Sequence, residues 1–148
     1  MAIKITVLVG GWEAFKEHAT AVRHEVFVLE QRVPIDEDLD ARDAGCIHAV
    51  AYDERGRAVG TGRLLPDAHI GRMAVRSAYR GRGIGSRILE ALVDEARARG
   101  FREVALSAQT HAISFYAGHG FSAEGDTYLD AGIEHITMRR ALPARGDA

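Results

Sequence analysis

A single cysteine, Cys46, stands in 148 residues, so no disulfide can form within the chain. That usage predicts a reducing, cytoplasmic setting. Nothing near Cys46 in sequence supplies a base, which leaves it as a small, half-buried filler rather than a nucleophile. Long apolar runs are also missing. The opening stretch, MAIKITVLVGGW, is too short for a secretory signal or a membrane span, and no other segment reaches membrane length. Neither sign of charge dominates: 19 Lys and Arg against 21 Asp and Glu leave a net charge of -2. The chain as a whole is therefore not drawn to nucleic acid or to an anionic membrane, and any polyanion binding must be local. The seven histidines form no His-x-x-x-His pair and have no cysteine at ligand spacing, so no metal site is expected. No repeat, low-complexity tract or linker divides the chain. One mixed α/β domain over residues 1–148 is the expectation.

What is present is a clear alternation of strand and helix signals. Ile3, Ile5, Val7 and Val9 alternate with Lys4, Thr6 and Leu8, a first strand stopped by Gly10-Gly11. Helical spacing follows from Glu13 to Arg32 through Phe15, Ala19, Val22, Val26, Phe27 and Leu29, and Pro34 ends it. An acidic loop carries Asp36, Glu37, Asp38, Asp40 and Asp43, suited equally to attracting a cationic amine or to plain solvation. Residues 48–52 and 58–65 form a hairpin about the Asp53–Gly56 turn, and residues 70–75 form the next strand. From Ile84 a helix buries Ile88, Leu89, Leu92, Val93 and Ala96 and ends at Gly100. A short buried strand (104–106), a brief helix (112–119) and a last strand (133–138) complete the chain.

The most informative segment is His69–Ser86, HIGRMAVRSAYRGRGIGS. A strand runs into a loop with glycines at 81, 83 and 85, and the loop enters the amphipathic helix. Glycine allows close backbone approach, and a helix start offers unpaired N–H groups and a positive dipole end. With Arg80 and Arg82 beside it, this is an anion site. A Walker loop requires a Gly-Lys-Ser/Thr ending, and no lysine precedes Ser86. A dinucleotide loop requires G-x-G-x-x-G, whereas these glycines recur every second residue.

Arg80-x-x-Gly83-x-Gly85 after a strand instead resembles the pyrophosphate-binding motif of the GNAT (Gcn5-related N-acetyltransferase) superfamily. The segment Phe115–Phe121, FYAGHGF, follows in that family's order, and the resemblance spans residues 20 to 140. Val26–Pro34, the acidic loop, His48, Ala108–Ala112, Gly132–His135 and Met138 are similar to the ElaA-type branch. The resemblance implies a mixed central sheet of about six or seven strands flanked by helices on both faces. It also implies acetyl-CoA as co-substrate and a primary amine as acceptor, small molecule or peptide, in a protein that forms homodimers in many relatives. The backbone of Met73, Ala74 and Val75 would grip pantetheine and polarise the thioester. Arg80, Gly81, Arg82, Gly83, Ile84, Gly85 and Ser86 would hold the pyrophosphate. Gln109 stands where the family often has Asn on the pantetheine arm.

Tyr116 matches the family's general acid. A phenol with an ordinary value of about 10 lies just above a thiol and can protonate a departing thiolate. Glu30 is the candidate base, with Glu25, His111, Glu134 and His135 as rivals. A second reading is an acyl-CoA-binding module without catalysis, and a third is nucleotide binding by the same loop.

Overall fold

A computed structural model describes residues 4–33 and 41–143. Seven strands form one sheet in the order β1-β2-β3-β4-β5-β7-β6. They are β1 (Thr6–Gly11), β2 (Ile47–Tyr52), β3 (Ala58–Leu64), β4 (His69–Val75), β5 (Glu103–Gln109), β6 (Ser122–Asp130) and β7 (Ile133–Ala141). The α-helices are α1 (Trp12–Arg23), α2 (Ile84–Ala98) and the short α3 (Ile113–Ala117). All neighbouring strands are antiparallel except β4 and β5.

Alternation along β2 and β3 decides which face each helix covers. Ala49, Ala51 and Val59 point into the cluster built on α2, with Ile84, Ile88, Leu89, Leu92, Val93 and Ala96. Val50 and Ala58 point the other way, toward Phe15, Ala19 and Val22 of α1. The side-chain period of a strand is two, so one strand feeds both layers. β3 is buried along its whole length and forms the floor of both layers.

Several boundaries differ from those expected. β1 runs through Gly10 and Gly11, and α1 starts directly at Trp12. A side chain at Gly10 would meet the Phe15 ring at 3.0 Å, so glycine serves packing there rather than stopping the strand. The expected helix from 13 to 32 is α-helical only to Arg23 and continues as a π-helical segment, His24–Glu30. The wider turn rotates the following residues off the earlier stripe. Leu29, expected on the apolar face, is 65% exposed as a result. Strand β6 was not anticipated because it is an edge strand, exposed throughout, with no buried face to impose alternation. Cys46 is fully buried rather than half-buried, and its thiol donates to the Arg42 carbonyl. Pro34 and the acidic residues 36, 37, 38 and 40 lie outside the described residues. Asp43, read as part of that acidic loop, is buried between two arginines and is not available to attract a substrate.

One irregularity in the sheet positions everything that follows. Thr61 pairs with Ala74 and Arg63 with Gly71, so Arg72 and Met73 of β4 stand opposite Gly62 alone. This is a bulge, which bends the strand that carries the extra residue. Arg72 takes a positive φ of 51° to make it, a conformation that costs a non-glycine residue about 1–3 kcal/mol. Gly62 makes room: a Cβ there would lie 2.5 Å from Met73 Sδ and 3.0 Å from Ile88 and Leu92. Gly62→Ala is therefore expected to destabilise the fold by about 1–3 kcal/mol through overpacking, read as a lower urea midpoint at unchanged m.

Candidate active site

β4 and β5 pair only at His69↔Ala105 and Ile70↔Leu106. Beyond these two pairs the strands part, β4 running on to Val75 and β5 to Gln109. The bulge at Arg72-Met73 turns β4 away at the point where pairing ends. Backbone N–H and C=O groups of residues 71–75 on the β5 side are thus left without a strand partner. Buried backbone polar groups require partners, so an open seam of this kind is a strand-shaped binding slot. The seam opens into a cleft of about 1450 Å³.

Every candidate site residue except Arg82 lines this cleft. Met73, Ala74 and Val75 form the β4 wall, and Arg80, Gly81, Gly83, Ile84, Gly85 and Ser86 form one end. Glu30 and Gln31 come from the π-helical side, and Gln109, His111, Phe115 and Tyr116 from the β5 side. Arg82 is exposed and outside the lining. Of the rival bases, His111 and His135 line the cleft. Glu25 instead pairs with Arg76 at 2.6 Å outside the lining, and Glu134 is exposed outside it.

The glycine loop has the conformation an anion cradle needs. Gly81 and Gly83 have φ of 75° and 77°, and nothing lies within 4 Å of where a Cβ would stand. The constraint is backbone shape, not space. Gly83 caps α2 without a side chain, so the first-turn N–H groups of Ile84, Gly85 and Ser86 point outward. Slot, cradle and positive helix end form one continuous site, whose backbone donors suit an extended, phosphate-bearing ligand. Arg80 sits at the junction, with Nε donating to the Val75 carbonyl at 2.9 Å.

The structure changes the reading of Glu30. Its carboxylate is held by Arg80 in a bidentate pair, at 2.5 Å and 2.7 Å. The hydrogen bond from Arg80, aided by its charge and opposed by partial burial, holds the Glu30 carboxyl below its usual range. A carboxylate so stabilised is a weaker base than a free one, and it is the observed partner of Arg80. Gln109, in turn, exchanges hydrogen bonds with Gln31, its Nε2 donating at 3.0 Å, and bonds His111 at 2.6 Å. This amide bridge crosses the cleft from β5 to the π-helical segment.

Tyr116 packs edge-on against Phe115 and Phe121, with ring centroids 5.0 Å and 6.0 Å away. Burial pushes its phenol up to about 12. Sequence reasoning missed three features. One is the hydrogen bond between Ser107 and Tyr128 at the cleft edge, made across β7 by a strand that was not foreseen. Another is the buried cluster in which Asp43 Oδ1 accepts from Arg23 at 2.9 Å and from Arg63 at 2.7 Å. Arg63 lines the cleft, so this cluster sets part of its wall. The third is His119, which bonds Ser86.

A family model described as the acetyltransferase (GNAT) domain matches residues 15–142. The chain belongs to this family. It is 38% identical to YjcF of Bacillus subtilis, described as an uncharacterized N-acetyltransferase, over 80% of this chain and 87% of that one. An acyl-CoA N-acyltransferase from Pseudomonas aeruginosa superposes with a TM-score of 0.83 at 30% identity, covering 93% of this chain and 100% of the other. Escherichia coli ElaA does so with a TM-score of 0.82 at 26% identity, covering 93% and 99%. These matches agree with the mixed sheet and the ElaA-type resemblance read from the sequence. Among the described residues no helix is long and apolar enough to cross a membrane.

Removing Asp43 would take a carboxylate partner from two buried guanidinium groups. Asp43→Ala is expected to cost about 3–5 kcal/mol, measured by denaturant unfolding, because breaking one partner of a buried ionic cluster leaves charge uncompensated.

Proposed function

We propose that the protein is an acetyl-CoA-dependent N-acetyltransferase acting on a primary amine by direct attack in a ternary complex. The observation that carries this reading is the continuity of the open β4 seam with the glycine cradle, with Tyr116 beside the same cleft. Bound acetyl-CoA would supply an acetyl group activated as a thioester. The residues of this chain provide three things around it. The N–H groups of residues 81–86 and the Arg80 guanidinium neutralise the pyrophosphate. Backbone N–H groups of Met73–Val75 bind the pantetheine arm and polarise the reacting carbonyl, a contribution commonly worth about 3–4 kcal/mol. Tyr116 faces the departing sulfur.

The raised value of Tyr116 defines its role. A phenol near 12 keeps its proton throughout the working range of pH. It is also a weaker acid than a thiol of about 8.5. Its contribution is a hydrogen bond that strengthens as negative charge grows on sulfur while the C–S bond breaks; the phenol keeps its proton, and the released thiolate is protonated from water. The amine nitrogen loses its own proton to water, because Glu30, whose carboxyl is held below its usual range, is a weak base.

Tyr116→Phe is expected to lower kcat by about 10²- to 10⁴-fold while leaving CoA affinity nearly unchanged. Retention of full turnover at saturating substrate would remove Tyr116 from this role. The wild-type rate should show no alkaline loss attributable to Tyr116 below about pH 11, because its folded value is shifted upward. Glu30→Gln is expected to leave the acid limb of the rate profile in place; displacement of that limb would restore Glu30 as the base. A thiol-release assay with acetyl-CoA and a panel of small and peptide amines tests the activity itself. Tight CoA binding with no turnover on any amine would favour a non-catalytic acyl-CoA sensor. Stronger thermal protection by ATP than by CoA would favour a nucleotide site.

A further inference from the structure

Ser86 closes the first turn of α2, where the reading above places the pyrophosphate, and its hydroxyl is not directed by the loop alone. His119, just beyond α3, bonds Ser86 Oγ through Nε2 at 2.9 Å and Glu90 Oε1 through Nδ1 at 2.9 Å. Arg140 of β7 donates to the same Glu90 oxygen at 3.0 Å. Burial opposes ionisation of Glu90, but the bonds and charges of His119 and Arg140 outweigh it and hold the carboxyl below its usual value. The charged and titratable groups facing His119 are thus Glu90 from α2 and, behind it, Arg140 from β7; the Phe115 ring stands 5.1 Å away. The His119 side chain is only 18% exposed, so water does not readily replace these partners.

The carboxylate of Glu90 only accepts hydrogen bonds, which places a proton on His119 Nδ1 in both charge states. In neutral His119, Nε2 is then an acceptor, and Ser86 must turn its one hydrogen inward to reach it. In the imidazolium, Nε2–H donates to Ser86 Oγ, and the serine hydrogen is released toward the cleft. We propose that His119 is a positioning residue for the glycine-loop ligand, and that its protonation turns the Ser86 hydroxyl into a donor to a bound phosphate. The inference rests on the proposed CoA reading and goes beyond it, since it assigns a role to His119 and to the side chain of Ser86.

The test is equilibrium binding of dephospho-CoA from about pH 8.5 to about pH 5.5, a span that brackets the ordinary histidine value. Dephospho-CoA is the appropriate probe because it lacks the phosphate monoester of CoA, whose own second ionisation near 6 would confuse the profile. Wild-type affinity is expected to rise about tenfold toward acid, the size of one charge-assisted hydrogen bond. His119→Gln and Ser86→Ala should both flatten the profile, and Ser86→Ala should bind more weakly than wild type at acid pH. By linkage, bound dephospho-CoA should raise the His119 value, seen as a shifted NMR titration of its ring proton. An undiminished acid slope in His119→Gln, or an His119 titration unmoved by ligand, would overturn this inference alone. Failure of the wild type to bind dephospho-CoA at any pH would overturn the CoA reading and this inference together.

Discussion

The separation of β4 from β5 is the constraint on which the rest of the molecule depends. A parallel pair inside a buried sheet normally satisfies its backbone along its whole length. Here the ladder stops after Ile70↔Leu106, and the bulge at Arg72-Met73 carries β4 outward. The bulge is possible because Gly62, on the neighbouring strand, offers no side chain where Met73 Sδ must lie. A strained residue, a missing Cβ and an interrupted ladder are therefore one device, held in place by the α2 layer beneath it. Strain of this kind persists only when its surroundings over-determine it.

Charge in this protein is organised by pairing. The net charge is near zero, yet the cleft carries several cations whose partners come from distant parts of the chain. Asp43 compensates Arg23 and Arg63 inside the fold, and Glu30 holds Arg80 at the mouth of the cradle. The first cluster is nearly dry, so its ions are strongly coupled and costly to separate. The second is more than two-fifths exposed on both sides and is correspondingly weak and exchangeable. A phosphate arriving at Arg80 competes with a neighbour that water already screens. That difference in burial separates a wall from a working part.

Much of the site could be read before the fold was known, because its elements are local. The spacing of Gly81, Gly83 and Gly85, the apolar stripe of α2 and the Phe115–Phe121 segment each lie within a short run of chain. Local periodicity reports local geometry, and all six stripe residues of α2 are buried. The unforeseen features have a different origin. β6 has no buried face, so no pattern marks it. The π-helical segment changes the period inside what reads as one helix, and Leu29 and Glu30 face where a simple α-helix would not put them.

What the amino-acid sequence determined by itself was the kind of site: a glycine-rich turn entering a helix, with a tyrosine segment downstream, follows from residues near one another in the chain. What only the tertiary structure decided was which charge meets which. Arg80 and Glu30 are 50 residues apart, Arg63 and Asp43 20, and His119 and Ser86 33. Side-chain chemistry states what each of these groups can do. Coulombic and hydrogen-bond energies depend on distance and burial, which no pattern along the chain encodes. Folding therefore paired Glu30 with Arg80, and brought His119 to the serine at the head of α2.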